Sequence, residues 1–355
     1  MTTAPRTDRI AGWTGTLDVE GAARVLRAAR SAVVVTHAKP DGDAAGSALA
    51  LTRTIVALGA DATAWFLGPF PGWLKAIVGD TPARTLGAPP GPSDPAMADQ
   101  PDLIVVVDTG SWQQLGDLRE WVRERSNRVL VIDHHRQGDP DIGSRRVLRT
   151  DAAAAAELVA PICTAALGLP TVSKLPTAIA EPLYLGMATD TGWFRFSNVT
   201  PAVLRMAADL LEAGADAPRL LELTEQQEAP SRLRLMARSL ASLELHHDGR
   251  VALVSLSKKD LHETGGQEDQ TSGFAEMLNQ VATVRVAVML TESSTGVTSP
   301  VLTKVSMRSK PGPGAVDVSE VTARFGGGGH ARAAGARLAM PLAEAKRAII
   351  AALTP

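Results

Sequence analysis

Val131-Ile132-Asp133-His134-His135 carries an apolar run straight into an acid and two imidazoles. A strand that stops in three metal-capable side chains sets them at the carboxyl edge of a sheet, where open α/β folds place their ligands. Three other segments repeat the design. Ala32-Val33-Val34-Val35-Thr36-His37 leads into Ala38-Lys39-Pro40-Asp41-Gly42-Asp43. Leu103-Ile104-Val105-Val106-Val107 stops at Asp108, and Leu185-Gly186-Met187-Ala188-Thr189 stops at Asp190.

Working outward, helical spacing of apolar residues predicts a helix from Asp18 to Arg30, after a loose tail over residues 1–16. Strands follow at 32–36 and 63–67, separated by a helix that Asp43 is positioned to cap and Gly59 to close. Gly87 to Pro101 reads as loop. A strand to Asp108, a helix near 112–125 and a strand at 128–132 continue the alternation, which implies a mainly parallel sheet with helices on both faces. Helices are expected over 151–167, 176–189 and from Thr200-Pro201 to about Ala213. The charged, helical stretch 217–240 reads as a connector between a first domain (1–216) and a smaller α/β domain (241–355). That second domain opens with a hairpin at 243–254 turning on Asp248-Gly249. Strands at 284–290 and 301–307, a glycine-rich loop at Gly326–Gly329 and a helix over 342–352 complete it.

With 355 residues the chain is long enough for two cores. No apolar run approaches the roughly 20 residues of a membrane helix. The single cysteine, Cys163, excludes an internal disulfide and fits a reducing cytoplasm. A formal charge of −2 provides no basic stripe for a long nucleic acid, and 4% aromatics make a poor stacking platform. A small anionic ligand held by a few cations and metals fits better.

Asp41, Asp43, Asp108 and Asp190 bring four negative charges together with the imidazoles of His37 and His134. Such a cluster is costly without compensation. Two divalent cations would cancel it, with one carboxylate as a bridge. Imidazole and carboxylate ligands without thiolate suit Mn²⁺, with Fe²⁺, Co²⁺ or Zn²⁺ as alternatives; all-oxygen Mg²⁺ sites look different, though Mg²⁺ stays open as the ion used. Each piece alone has a plain structural reading: Asp43 as a helix cap, Asp41-Gly42 as a turn, Asp108-Thr109-Gly110 as a strand end.

The segments THAKPDGDAAGS (36–47), VVVDTG (105–110), VIDHH (131–135) and GMATDTGWFRFS (186–197) resemble the four motifs of the DHH phosphoesterases. VSMRSK (305–310) and FGGGGHARAAG (325–335) are similar to the DHH-associated domain. The likeness spans nearly the whole chain, in order. It is nearest to the short-chain branch that acts as nano-RNase and 3′,5′-bisphosphoadenosine phosphatase, some members of which hydrolyse cyclic di-AMP. The resemblance implies a cleft between two domains and two Mn²⁺ per site. His37, Asp41 and Asp108 would hold one ion, and Asp43, Asp108, His134 and Asp190 the other. His135 would face the substrate phosphate, and Asp133 would orient imidazoles. Arg308, Gly327, Gly328, Gly329, His330 and Arg332 would grip nucleotide. Short RNA oligonucleotides and adenosine nucleotides would be the substrates, and similar proteins are often homodimers. Competing readings are a pyrophosphatase or polyphosphatase, a RecJ-type exonuclease, and a non-catalytic RNA-binding protein.

Other features draw plain expectations. His246-His247 is an exposed strand end, and His262 is solvated. Cys163 is buried and inert. Trp193 and Phe194 either line the cleft or pack in the core, and Arg195 is a candidate phosphate contact.

Overall fold

The computed structural model describes residues 12–86, 100–293 and 302–353. The chain divides between Gln226 and Gln227 into two units.

The first unit runs α1 (Val19–Ala28), β1 (Ser31–Val35), α2 (Gly42–Ala57), β2 (Asp61–Leu67), α3 (Leu74–Val78), β3 (Ala83–Leu86) and β4 (Leu103–Val107). It continues through α4 (Arg119–Arg123), β5 (Val129–Asp133), β6 (Arg145–Leu148), α5 (Ala156–Ala166), α6 (Thr177–Asp190), α7 (Pro201–Glu212) and α8 (Ala217–Glu225). Every strand pair is parallel, in the order β3-β2-β1-β4-β5-β6. The chain therefore builds outward from β1 in one direction and from β4 in the other. The crevice between β1 and β4 is the topological switch point, where such sheets bind ligands. His37 follows β1 and Asp108 follows β4.

Both sheet faces are covered, which is why β4 and β5 are buried at every position and apolar up to Asp133. Val34, Val105, Val107 and Ile132 pack with residues of α1, α2, α5 and α6. Val33, Val106 and Val131 pack with Trp13, Trp65, Trp112 and Trp121 on the opposite face.

On α2, a Cβ at Gly46 would lie 2.1 Å from the Pro182 carbonyl oxygen, and one at Gly42 would lie 2.3 Å from the Thr189 hydroxyl. Glycine at these positions lets α2 and α6 approach more closely than any other residue would allow. That approach sets Asp43 of α2 beside Asp190 at the end of α6.

The second unit contains α9 (Pro230–Ala241), β7 (Glu244–His246), β8 (Val251–Leu256), α10 (Lys258–Thr264), α11 (Phe274–Leu278), β9 (Val286–Glu292) and β10 (Thr303–Ser309). Then follow α12 (Val318–Ala323), β11 (Gly328–His330), β12 (Ala333–Leu338) and α13 (Leu342–Ala352). Its sheet runs β11-β12-β10-β9-β8-β7, with β8 and β9 the parallel pair. Val305 and Met307 pack against α12 and α13 on one face. Ala252, Val254, Ala287 and Met289 pack against α9, α10 and α11 on the other.

Several expectations need correction. Residues 12–16 are not a loose tail: Trp13 is buried, and Thr16 is bonded to the Arg146 backbone. Asp43 does not cap α2. Asp41 does, accepting from the amides of Asp43 (3.1 Å) and Ala44 (3.0 Å). The helix near 112–125 shrinks to α4 after a short 3₁₀ turn. The alanine-rich helix starts at Ala156 rather than Asp151. β3 and β6 extend the sheet beyond the strands foreseen. The loop expected at 87–101 lies mostly outside the described residues, as does residue 301.

Candidate metal centre

Four loop and helix ends meet at the switch point. Asp108 enters it at a left-handed backbone (φ 59°), turning the chain sharply out of β4. Its side chain is almost fully buried, and its two oxygens face opposite neighbours. Oδ2 lies 3.5 Å from His37 Nε2, and Oδ1 lies 3.3 Å from His134 Nε2. Asp41 Oδ1 is 3.8 Å from His37 Nε2. On the other side, Asp190 Oδ2 is 3.4 Å and Asp43 Oδ2 3.9 Å from His134 Nε2. The ligand-capable atoms of His37, Asp41 and Asp108 form one nest, and those of Asp43, His134 and Asp190 another.

Each imidazole is fixed from behind. His37 Nδ1 pairs with the Ala38 carbonyl at 2.9 Å, and His134 Nδ1 with the Ala152 carbonyl at 3.3 Å. A ring that donates Nδ1–H to a carbonyl presents Nε2 as the ligand atom.

The donor set fits divalent cations. Asp108 Oδ1 and His134 Nε2 are buried with no hydrogen-bond partner among the described residues. Buried polar atoms of this kind are tolerated only where something else satisfies them. Without cations the protein must neutralise the cluster with protons. Burial pulls His37 down, yet the neighbouring carboxylates of Asp108 and Asp41 outweigh that and push it up to about 11. His134 is likewise lowered by burial but raised by Asp108, Asp43 and Asp190 to about 10. Burial, Asp108 and Asp41 push Asp190 up to about 7. Asp43, fully buried and facing Asp108 and Asp190, stands well above the carboxylate range.

His135 sits beside the nests, with its side chain 46% exposed. Asp133, wholly buried, accepts from His135 Nδ1 (2.8 Å) and from the amides of His134 (2.8 Å) and His135 (3.2 Å). That hydrogen bond outweighs desolvation and raises the His135 pKa. With Nδ1 engaged by Asp133, Nε2 is left for a ligand.

Sequence reasoning missed the residues that brace this cluster. Trp13 Nε1 donates to the His135 carbonyl at 3.2 Å. Its ring fills the space where Cβ atoms at Gly110 and Gly138 would stand. Only the paired glycines, far apart in sequence, could have signalled it. The amides of Ala155 and Ala156 bind Asp43. Beyond Asp190, Gly192, Trp193 and Phe194 are three successive left-handed residues. Trp193 and Phe194 pack on the core. Arg195, a candidate phosphate contact, donates its Nε to the Gly192 carbonyl at 2.6 Å.

In the second unit, Arg308 Nε is held by Glu276 at 2.7 Å. Arg332 Nη1 donates to the Val316 carbonyl (3.0 Å) and the Ser309 hydroxyl (3.3 Å). His330 is exposed. The glycine run is not wholly loop: Gly328–His330 form edge strand β11 against β12. Cβ atoms at Gly327 and Gly329 would strike Gly335 and Ala333 backbone oxygens at 2.2 and 2.6 Å, so strand packing already demands both glycines. At Gly328 a Cβ would meet nothing within 4 Å. His246 pairs with Glu244 at 3.3 Å, and His247 Nε2 is buried, so the pair is not simply exposed. Cys163 is buried, with desolvation pushing its thiol up to about 12.

Residues 31–187 match the DHH family, N-terminal domain, and residues 248–354 match the DHHA1 domain. A bifunctional oligoribonuclease and PAP phosphatase NrnA from Thermus thermophilus is 34% identical over 324 residues, covering 89% of this chain and 87% of that protein. Cyclic-di-AMP phosphodiesterase PdeA from Listeria monocytogenes is 26% identical over 256 residues, 71% of this chain but 36% of the relative. The crystal structure of an exopolyphosphatase-related protein from Bacteroides fragilis superimposes with a TM-score of 0.79 at 24% identity, covering 94% of this chain and 95% of that one. That likeness establishes the shared fold.

Proposed function

The chain belongs to the DHH family, and on that premise we propose that it hydrolyses very short nucleotides with a pair of Mn²⁺ ions. It is a phosphoesterase, hence a hydrolase. The substrates proposed are oligoribonucleotides of a few residues such as pApA, 3′,5′-bisphosphoadenosine and cyclic di-AMP, in a cytoplasmic setting. Among the described residues no helix is long and apolar enough to cross a membrane.

The observation that carries this reading is Asp108, with one oxygen toward His37 and the other toward His134. A carboxylate so shared is what a two-cation site requires. In this assignment His37, Asp41 and Asp108 hold one ion, and Asp43, Asp108, His134 and Asp190 the other. Bound there, such ions polarise phosphoryl oxygens and make water acidic enough to ionise near neutral pH.

The chain's own groups do the rest. Asp133 orients His135 and favours its protonated form, in which Nε2 donates to a phosphoryl oxygen or to the departing ester oxygen. Trp13 seals the back of the same loop. Within the second unit, Arg308, His330 and Arg332, with the open backbone at Gly328, are the groups suited to bind nucleotide phosphate.

The deciding assay compares Mn²⁺-dependent hydrolysis of pApA, 3′,5′-bisphosphoadenosine, cyclic di-AMP, pyrophosphate and a long RNA. Turnover of the short nucleotides with the long RNA spared is the expected result. Turnover of pyrophosphate alone would overturn the proposal.

A further inference from the structure

The second unit offers a cationic groove that the reading above leaves unused. Along β10 the side chains alternate: Thr303, Val305 and Met307 are buried, while Lys304, Ser306 and Arg308 stand on the partly open face. Register extends that face into rows, because residues directly opposite in an antiparallel pair share a side of the sheet. Arg308 lies opposite Ala333, and Ala333 opposite His330. Ser306 lies opposite Gly335, and Gly335 opposite Gly328. Lys304 lies opposite Arg337. The floor is thus a cationic row, a row of small residues and a second cationic row.

The far row opens on a groove of about 740 Å³, lined among others by Lys258, His262, Glu268, Lys304 and Arg337. Glu268 lies 3.6 Å from Lys304 Nζ and 3.4 Å from Arg337 Nη2. One carboxylate faces two cations, and the Arg337 side chain remains 57% exposed. With Lys258 added and Asp269 counted against it, the groove keeps an excess of positive charge.

Arg308 and Lys304 are four residues apart on one strand, about 14 Å at roughly 3.4 Å per residue. A stacked nucleic-acid strand advances about 3.4 Å per nucleotide. The two cationic rows are therefore separated by up to about four nucleotides, and by fewer if the bases unstack. The middle row carries no long side chain, and at Gly328 a Cβ would meet nothing within 4 Å, which suits the sugars and bases between the two rows.

We infer that Lys304 and Arg337 form a distal phosphate subsite that gives the enzyme its preference for oligonucleotide length. This rests on the proposed oligonucleotide activity. The occupant is the far phosphate of the same short strand whose near end is held around Arg308. Mononucleotides and dinucleotides fall short of it.

The test compares kcat/KM for a five-nucleotide RNA and a dinucleotide across a salt series, using wild type, K304Q/R337Q and E268Q. In K304Q/R337Q the ratio of pentamer to dinucleotide efficiency falls about tenfold, through KM. The salt slope of the pentamer becomes shallower by about 0.7 per cation removed. E268Q, which frees both cations from their anionic competitor, moves the ratio upward, a direction that loss of folding cannot mimic. An unchanged ratio, or equal losses at both lengths, would overturn the inference while leaving the hydrolase reading intact. A wild-type protein that cleaves neither RNA in Mn²⁺ would overturn that reading, and the inference with it.

Discussion

Asp43 of α2 and Ala156, the first residue of α5, are joined by a 2.9 Å hydrogen bond from the Ala156 amide to Asp43 Oδ1. The neighbouring amide of Ala155 binds the other oxygen. One acid thus serves the metal nest and also caps a helix made much later in the chain.

That double duty separates Asp43 from Asp190, although both face His134. Asp43→Ala leaves two buried amides without partners and should cost about 1–3 kcal/mol of stability each. Asp190→Asn removes a carboxylate whose charge is opposed by Asp108 and Asp41, so it should stabilise the metal-free protein near pH 8. Both variants should lose nearly all activity. Urea unfolding in the presence of a chelator checks the contrast, and equal destabilisation by both would refute it.

Metal-free stability should fall as pH rises. His37 and His134 hold protons to about 11 and 10, against 6.5 when unfolded, so their stabilisation is complete below 6.5 and is lost through those higher values. Asp190 adds the same sign. Its raised pKa makes ionisation an increasing burden from about 3.8 to about 7. Saturating Mn²⁺ should reverse the trend above neutrality, since cations need the deprotonated ligands. Melting curves at pH 6, 7.5 and 9, with chelator or with Mn²⁺, test this. A chelated protein that melts later at pH 9 than at pH 6 would contradict it.

Asp133→Asn should keep the hydrogen bond to His135 but remove the charge that raises its pKa. The alkaline limb of the kcat/KM profile should then move to lower pH, with activity reduced about 10–100-fold. A profile reduced in height but unmoved on the pH axis would mean that Asp133 acts only in folding.

Gly46→Ala places a methyl group against the Pro182 carbonyl and should drive α2 from α6. The nest of Asp43, His134 and Asp190, which spans both helices, should weaken most, while that of His37, Asp41 and Asp108 has only the α2 cap Asp41 to lose. Titration calorimetry with Mn²⁺ should show one strong and one weakened site. Overpacking of this kind costs about 1–3 kcal/mol, which denaturant melts would also register.

Gly327→Ala and Gly328→Ala should diverge. The first meets the Gly335 carbonyl and should lower the melting temperature by several degrees. The second meets open space, so a rise in KM without loss of stability would locate nucleotide over that backbone. Equal melting temperatures would show that the Gly327 contact is absorbed by strand movement.

The candidate ligand cluster was legible because its segments end apolar runs: the parallel sheet delivers His37, Asp108 and His134 to one edge, and the apolar helix α6 ends at Asp190. His37, Asp108 and His134 needed no knowledge of packing. Trp13, Gly46 and Ala156 did: each acts through a neighbour distant in sequence, and local periodicity carries no trace of that neighbour. Asp41 and Asp43 illustrate the limit. Both stand where a cap would, and only the amide geometry separates the cap from the buried acid. In the second unit, Gly327 and Gly329 looked like ligand-binding residues when strand packing already requires them.

The placement of β1 at the centre of its sheet has a consequence during synthesis. β2 pairs with one side of β1 soon after both have emerged, but the other side waits for Leu103–Val107. Until then the nascent chain carries the apolar strand Ala32–Val35 with one backbone edge unpaired, a template for association with another chain. Asp190, the last of the candidate ligands, arrives later still. A chain released early would therefore be both adhesive and without the full candidate ligand set, so ribosome pausing before residue 103 should be more damaging to yield than pausing anywhere after α6.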